Sequence, residues 1–203
     1  MSYQPKERPI IFSAPMVRAI LEGRKTQTRR IIKPQPKIIH SIYGDASIDT
    51  ERIFRQGDQR IHCPYGRPGD RLWVREAFAE VGCIGRPIDW FEYNYRADFE
   101  NGQWEGYADM CFEKWRPSIH MPRAASRILL EITDIRAERV CDISEADAIA
   151  EGIEVTPIWK GPGDVYLCDP IHEYSRLWQS INGPESWNIN PWVWVITFNR
   201  ITP

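Results

Sequence analysis

The stretch Trp192-Val193-Trp194-Val195-Ile196-Thr197-Phe198 predicts the central strand of a β-sheet. Its even-numbered positions hold two tryptophans, an isoleucine and a phenylalanine, and the positions between them hold two valines and a threonine. Because this pattern repeats every two residues, alternate side chains lie on opposite faces of a sheet. Because both faces are largely apolar, we predict that the strand is buried on both sides.

Shorter signals of strands and helices precede this strand. Apolar or alternating runs at Ile10–Phe12, Arg71–Arg75 and Ile128–Ile132 predict further strands. Apolar residues at helical spacing predict helices that begin near Pro15 and Pro170, each after a capping residue. Strands that are dispersed among short helices favour a mixed or antiparallel sheet. We therefore predict an α+β fold, in its simplest form a small β-barrel decorated by short helices.

Two irregular segments interrupt these signals. Residues 33–67 and 82–123 are punctuated by proline and glycine and show no sustained periodicity. We interpret them as long insertions, made mainly of loops, in a single domain that spans residues 1–203. The second insertion contains one predicted strand at Phe91–Tyr95.

Composition and cysteine usage indicate the class of protein. Nowhere does the sequence contain the roughly 18 consecutive apolar residues of a membrane-spanning helix. The polar first ten residues, with two prolines, do not resemble a signal peptide. Five cysteines without a Cys-x-x-Cys pair indicate reduced thiols, so we expect a cytoplasmic protein without membrane contact. A zinc site at His62, Cys63 and His120 has no support from their spacing, and we predict no metal and no cofactor.

Charge is distributed unevenly. Residues 1–40 hold nine basic and two acidic residues, whereas the remainder of the chain has a balance of −9. A basic arm on an acidic body suggests an anionic ligand, although a solvated charged face would give the same count.

The basic arm contains the motif Gly23-x-Lys25-x-x-x-x-Arg30, placed after a predicted strand and helix. Further landmarks are Pro68-Gly69-Asp70, the segment from Ile143 to Ile153, and the closing strand. Together they resemble the ASCH domain family, a relative of the PUA fold that binds RNA, over about residues 10 to 200. The stretch Pro117–Arg123 is similar to the longer members encoded by phages and prophages.

This resemblance implies a site and two classes of function. Compact members of the family hydrolyse N4-acetylcytidine to cytidine and acetate, and their catalytic lysine, threonine and glutamate resemble Lys25, Thr28 and Glu151. Other members resemble ribonucleases or RNA-binding proteins. The present chain is about twice as long as these compact members, and its insertions are expected to cover or reshape the pocket.

The same residues suit this chemistry on physical grounds. A threonine hydroxyl is a poor nucleophile until a base removes its proton, and Lys25 suits that role if burial and cationic neighbours lower its pKa. Glu151 would orient the substrate or protonate the leaving amine. Arg30 suits a phosphate or an oxyanion.

The predicted binding residues are Gly23, Arg24, Arg29 and Arg30. We interpret Arg24 and Arg29 mainly as surface charge.

Four hypotheses follow for the function. The chain is an amidohydrolase of an acylated base or nucleoside, a non-catalytic RNA-binding module, a ribonuclease, or an interaction protein of phage development. We place the hydrolase slightly ahead, and we leave His120 out of the catalytic set. From the two matched landmarks, Gly23-x-Lys25 and Glu151-Gly152, we expect that Lys25, Thr28, Arg30 and Glu151 line one cleft.

Overall fold

A computed structural model describes residues 3–36, 40–41, 54–56, 59–83, 92–99, 110–111, 114–155, 157–159 and 165–201. The three α-helices within these ranges are α1 (Ala14–Leu21), α2 (Glu145–Ala150) and α3 (Pro170–Asn182). The strands, in chain order, are β1 (Glu7–Ile11), β2 (Gln27–Ile31), β3 (His40–Ser41), β4 (Phe54–Gln56), β5 (Gln59–Ile61), β6 (Arg71–Arg75), β7 (Phe78–Cys83), β8 (Glu92–Tyr95), β9 (Met110–Cys111), β10 (Leu129–Arg139), β11 (Pro157–Trp159), β12 (Val165–Leu167) and β13 (Trp192–Ile201).

The main sheet has five strands in the order β1-β6-β10-β13-β2. β1 and β6 are parallel, and the other neighbouring pairs are antiparallel. β13 pairs with β10 on one side and with β2 on the other, which confirms its predicted central position. The predicted α+β fold with a mixed sheet is therefore confirmed.

Apolar side chains cover both faces of this sheet. One core cluster joins α1 to the sheet through residues such as Phe12, Val17, Trp194 and Phe198. A second cluster packs α2 and α3 against the opposite face, where Val193 and Val195 lie. The alternation along β13 thus sends its even-numbered residues toward α1 and its two valines toward α2 and α3.

The two ends of the sheet are linked by a side chain. β1 and β2 are the outermost strands, and Arg30 Nη2 on β2 donates a 2.7 Å hydrogen bond to Ile11 O on β1. The Arg30 guanidinium also lies over the Phe12 ring, 5.2 Å from its centroid. The expected barrel is thus bridged at this point by an arginine side chain instead of a main-chain ladder.

Among the described strands, β2 pairs only with β13, and its other edge lies at the border of the main sheet. Thr26 O accepts a hydrogen bond from Phe198 N, and Ile32 N donates to Trp192 O, so the main-chain groups of even-numbered residues face β13. Because these groups alternate along an antiparallel strand, those of Gln27 and Arg29 face away from the sheet.

The segments predicted as insertions contain more regular structure than expected. β3, β4 and β5 form a small antiparallel sheet within residues 33–67, which we predicted as mainly loops. β7 pairs with β8 and β9 in another small sheet. β8 confirms the predicted strand over Glu92–Tyr95, while Phe91 lies outside the described residues. In the described part of the chain, no helix is long and apolar enough to cross a bilayer.

Candidate functional site

Two helix ends meet at the candidate site. Gly23, with φ of +77°, follows the end of α1, and Gly152, with φ of +93°, follows the end of α2. Lys25 N donates to Ala19 O at 3.0 Å, and Thr26 N donates to Ala150 O at 2.9 Å. These hydrogen bonds fix the loop between α1 and β2 against the C-terminus of α2. Lys25 and the residue that ends α2, Glu151, are therefore brought together.

Lys25 is enclosed, and all three of its ammonium protons have protein acceptors. Its Nζ donates to Gln27 O at 2.8 Å, to Glu151 O at 2.8 Å and to Glu151 Oε2 at 2.6 Å. None of the Lys25 side chain is exposed, and only 4% of the Glu151 side chain is. The cation also caps the C-terminal end of α2, where the helix dipole favours positive charge.

Arg29 belongs to the same cluster and lies on the same face of β2 as Gln27. Its Nη1 contacts Gln27 Oε1 at 2.7 Å and Glu151 Oε1 at 3.4 Å. Its Nη2 contacts Glu138 Oε1 at 2.6 Å and Asp147 Oδ2 at 3.1 Å. The Arg29 side chain has no exposed surface, so the expectation of a surface charge is wrong. Three carboxylates offset the cost of burying it.

Charge within this cluster is balanced. Arg136 adds a third cation, donating to Glu138 Oε2 at 3.0 Å and to Asp147 Oδ2 at 2.6 Å. The three cations and three carboxylates thus form one connected network, which also includes the hydroxyl of Tyr174 at 3.5 Å from Glu151 Oε1. We call this set the buried charge cluster; its members are Lys25, Gln27, Arg29, Arg136, Glu138, Asp147, Glu151 and Tyr174.

Burial changes the acid–base properties of two members. It lowers the pKa of Lys25 from the usual value of 10.5, although Glu151 opposes the change. Burial also raises the pKa of Tyr174 well above 10.0, and the negative charge of Glu151 adds to that increase.

Thr28 and Arg30 lie on the other face of β2. Thr28 is directly opposite Ile196, and Arg30 is opposite Trp194, so both side chains point toward the α1 side of the sheet. Thr28 is 3% exposed. The structure therefore joins Lys25 to Glu151 directly, whereas neither Thr28 nor Arg30 donates to that carboxylate.

The remaining predicted residues, Gly23 and Arg24, lie at the surface next to the cluster. Arg24 donates to Glu22 Oε2 at 2.8 Å and to Gly152 O at 3.3 Å, and also pairs with Glu154 at 3.1 Å. These contacts tie the end of α1 to the end of α2. The functional roles predicted for all seven residues remain predictions.

Sequence reasoning missed the partners that hold the cluster together. Glu138 and Asp147 are 109 and 118 residues from Arg29, and no spacing rule connects them. Asp147 gave a local signal only as the third residue of α2, where its main chain N donates to Ser144 Oγ at 3.1 Å. Tyr174 lies on α3, one of the helices that the apolar spacing predicts, and it is buried there.

The structure thus defines an α+β protein with a mixed sheet and a charge cluster between β2, β10, α2 and α3, in which Lys25, Arg29 and Glu151 are enclosed and Arg136 and Asp147 are partly exposed. No group of three or more His, Cys, Asp or Glu residues that could hold a metal ion is present among the described residues. No family model matches the chain, and neither does any curated protein.

One solved structure resembles it, the crystal structure of protein EF3133 from Enterococcus faecalis V583, described as DUF984. The match covers 100% of this chain and 83% of the other, with 10% identity and a TM-score of 0.41. Similarity at this level says nothing about function, and the resemblance to the ASCH family continues to depend on the motifs.

Proposed function

We propose that this chain is a non-catalytic RNA-binding domain in which the buried charge cluster serves the fold. One observation carries this choice: every proton of the Lys25 ammonium is donated to a protein oxygen, and the side chain is wholly enclosed. A substrate group or a phosphate would have to break one of these bonds to reach the lysine. The hydrolase hypothesis, which was slightly favoured by the sequence, therefore takes second place.

The proposed ligand follows from charge. The basic residues of the first 40 positions give that segment a balance of +7; among them, Lys25 and Arg29 pair with the buried Glu151, and Arg8 pairs with the buried Asp70. Arg30 and Lys33 keep contact with solvent on the same segment, and Arg24 does so while paired with Glu22 and Glu154. Clustered surface cations attract a polyanion and release its counterions on binding.

Binding to a fluorescein-labelled RNA by fluorescence anisotropy tests this proposal. We expect the logarithm of the binding constant to fall linearly with the logarithm of salt concentration. Lys25→Met combined with Glu151→Leu should leave RNA affinity unchanged in a folded variant, because a sealed pair contacts no ligand. Failure of the unmodified chain to bind RNA at low salt contradicts the proposal.

The second candidate is hydrolysis of an acylated cytosine, and a specific observation favours it. Lys25 combines a lowered pKa with a 2.6 Å contact to Glu151, and Thr28 follows three positions later on β2. Transfer of one Lys25 proton to the Glu151 carboxylate would give a neutral amine, which is the form that acts as a base.

In this mechanism, the amine would take the Thr28 proton while Thr28 Oγ bonds to the acyl carbon. The C–N bond would then break, and Glu151 would return its proton to the departing cytosine nitrogen. Water would finally release acetate from the threonine ester.

Hydrolysis of N4-acetylcytidine with a chelator present tests this candidate. The enzyme hypothesis predicts release of cytidine and acetate that Thr28→Ala abolishes, with Thr26→Ala as a matched control at an exposed neighbour. If no product forms above the uncatalysed background while RNA binding persists, the non-catalytic proposal stands.

A further inference from the structure

We propose that single-stranded RNA binds beside Asp70, where Lys6 and Arg67 contact phosphates. A base stacks against the exposed pair that the Arg67 guanidinium forms with the Tyr3 ring. This inference rests on the proposed RNA-binding function and specifies its surface. The surface shares no residue with the buried charge cluster, and it includes the landmark Pro68-Gly69-Asp70, to which no function has been assigned so far.

Asp70 gathers residues from two segments of the chain. Its Oδ1 accepts hydrogen bonds from Lys6 N at 2.8 Å and from the Tyr3 hydroxyl. Its Oδ2 accepts from Arg8 Nη1 at 2.9 Å and from Arg67 N at 3.2 Å. Only 3% of the Asp70 side chain is exposed. One enclosed carboxylate therefore holds three basic residues and a tyrosine next to one another.

Three cations surround this carboxylate. The Arg8 guanidinium pairs with Asp70, and Lys6 and Arg67 are exposed residues beside the pair. Lys6 directly precedes β1 and Arg8 is the second residue of that strand, so their side chains leave the chain on the same face. Clustered surface cations attract phosphates, which release their counterions on binding.

Tyr3 supplies an exposed aromatic ring that is held in place. The residue is 42% exposed, and the Arg67 guanidinium lies over its ring, 4.1 Å from the centroid. A Cβ at Gly69 would lie 3.3 Å from Tyr3 Cε1, so the turn packs closely against the ring. Because the hydroxyl and the turn already fix the ring, little ordering is needed when a base binds.

The pair of Tyr3 and Arg67 favours a single strand over a duplex. Unpaired bases stack on aromatic rings and on the planes of arginine guanidinium groups, whereas the bases of a duplex are stacked on one another. The exposed cation of Lys6 nearby suits the backbone of the same strand.

The test uses the full chain and a fluorescein-labelled single-stranded 12-mer RNA, with a 12-base-pair RNA duplex as the comparison probe. Lys6→Gln and Arg67→Gln each remove one charge, while their main-chain N–H groups keep the hydrogen bonds to Asp70. We expect each variant to weaken single-strand binding about fivefold in about 0.1 M salt and to reduce the salt slope by about 0.7. Arg176→Gln is the matched control, since this arginine is 68% exposed on α3.

Substitutions of Tyr3 separate stacking from a structural role. Tyr3→Phe keeps the ring and loses the hydroxyl bond to Asp70, whereas Tyr3→Ala loses both. We expect Tyr3→Phe to bind within about twofold of wild type and Tyr3→Ala to bind about tenfold more weakly. The salt slope should be unchanged in both, because stacking releases no counterion. Equal weakening in the two variants would show that only the hydroxyl matters, and it overturns the stacking role.

Thermal unfolding shows whether each variant is folded, and Lys6→Gln and Arg67→Gln decide the proposal if Tyr3→Ala does not fold. Wild-type binding that the charge variants and Tyr3→Ala leave as tight as Arg176→Gln overturns this surface and leaves the proposed function intact. Absence of any wild-type binding overturns both. Preference for the duplex overturns the single-stranded assignment.

Discussion

Lys25 Nζ and Glu151 Oε2 lie 2.6 Å apart, although 126 positions of sequence separate the two residues. Both side chains are almost completely removed from solvent. Removing two charges from water is expensive, and their attraction repays the cost only when the remaining protons and lone pairs are also bonded. Here the other two Lys25 protons are donated to Gln27 O and Glu151 O, and Arg29 donates to the second carboxylate oxygen of Glu151.

Glu151→Gln should destabilise the protein by about 3–5 kcal/mol, because it leaves the Lys25 cation buried without its counter-charge. Urea unfolding at neutral pH measures this loss. Glu154→Gln is the matched control: its side chain is 66% exposed and pairs only at the surface, so about 0–1 kcal/mol is expected. The double variant Lys25→Met, Glu151→Leu should recover part of the loss. Equal losses of stability in Glu151→Gln and Glu154→Gln would contradict a sealed Lys25–Glu151 pair.

Gly152→Ala should cost more stability than Gly23→Ala. Both glycines have positive φ, so alanine is strained at each by about 1 kcal/mol. A Cβ at Gly152 would also lie 3.1 Å from Ala19 Cβ and 3.2 Å from Lys25 Cβ, whereas a Cβ at Gly23 meets nothing within 4 Å. The difference between the two variants in urea unfolding therefore measures how tightly the helix ends enclose Lys25. Identical costs would show that the backbone strain alone matters.

Tyr174→Phe should change how stability depends on alkaline pH. The pKa of Tyr174 is raised in the folded state, so the unfolded chain loses this proton first as pH rises above 10.0. The stability that Tyr174 contributes is present in full below pH 10.0 and is lost above it, at up to about 1.4 kcal/mol per pH unit. The difference in free energy of unfolding between wild type and Tyr174→Phe should thus be constant below about pH 9. Above pH 10, the wild type should lose stability relative to the variant. Parallel curves throughout would show that the tyrosine ionises normally.

Asp70→Asn should destabilise the protein by about 2–4 kcal/mol at neutral pH, since an amide nitrogen cannot accept the bonds that Asp70 receives. The donors include Lys6 N at 2.8 Å, Arg67 N at 3.2 Å and Arg8 Nη1 at 2.9 Å. Burial tends to raise the pKa of Asp70, but hydrogen bonds from Tyr3, the backbone and Arg8 outweigh it and lower the pKa below 3.8.

Because the pKa of Asp70 is lowered, the effect of Asp70→Asn on stability should depend on pH in the acid range. The contribution of Asp70 is present above pH 3.8 and is lost as pH falls through the lower folded-state pKa. Unfolding measured along a pH series should show the two proteins converging in acid. A gap that persists undiminished in acid would mean that the asparagine acts through packing.

The central strand and the helix ends could be predicted because their signals are local. The alternation in β13 and the glycines that end α1 and α2 each depend on a few adjacent residues. The meeting of Lys25 with Glu151 was expected from the motif resemblance alone. The burial of Arg29 could not be predicted, because an arginine is normally exposed and its carboxylate partners come from β10 and α2, more than 100 positions away. Short strands such as Phe54–Gln56 carry too few residues to show a period.

The outward edge of β2 bears on self-association. An unpaired strand edge is a template on which a strand of another molecule can add, and such additions lead to aggregation. Lys25 occupies the outward carbonyl of Gln27, so this acceptor is already taken by an ammonium group. An incoming strand would have to displace a bonded cation that also holds Glu151. The lysine of the motif therefore blocks one main-chain acceptor on this edge.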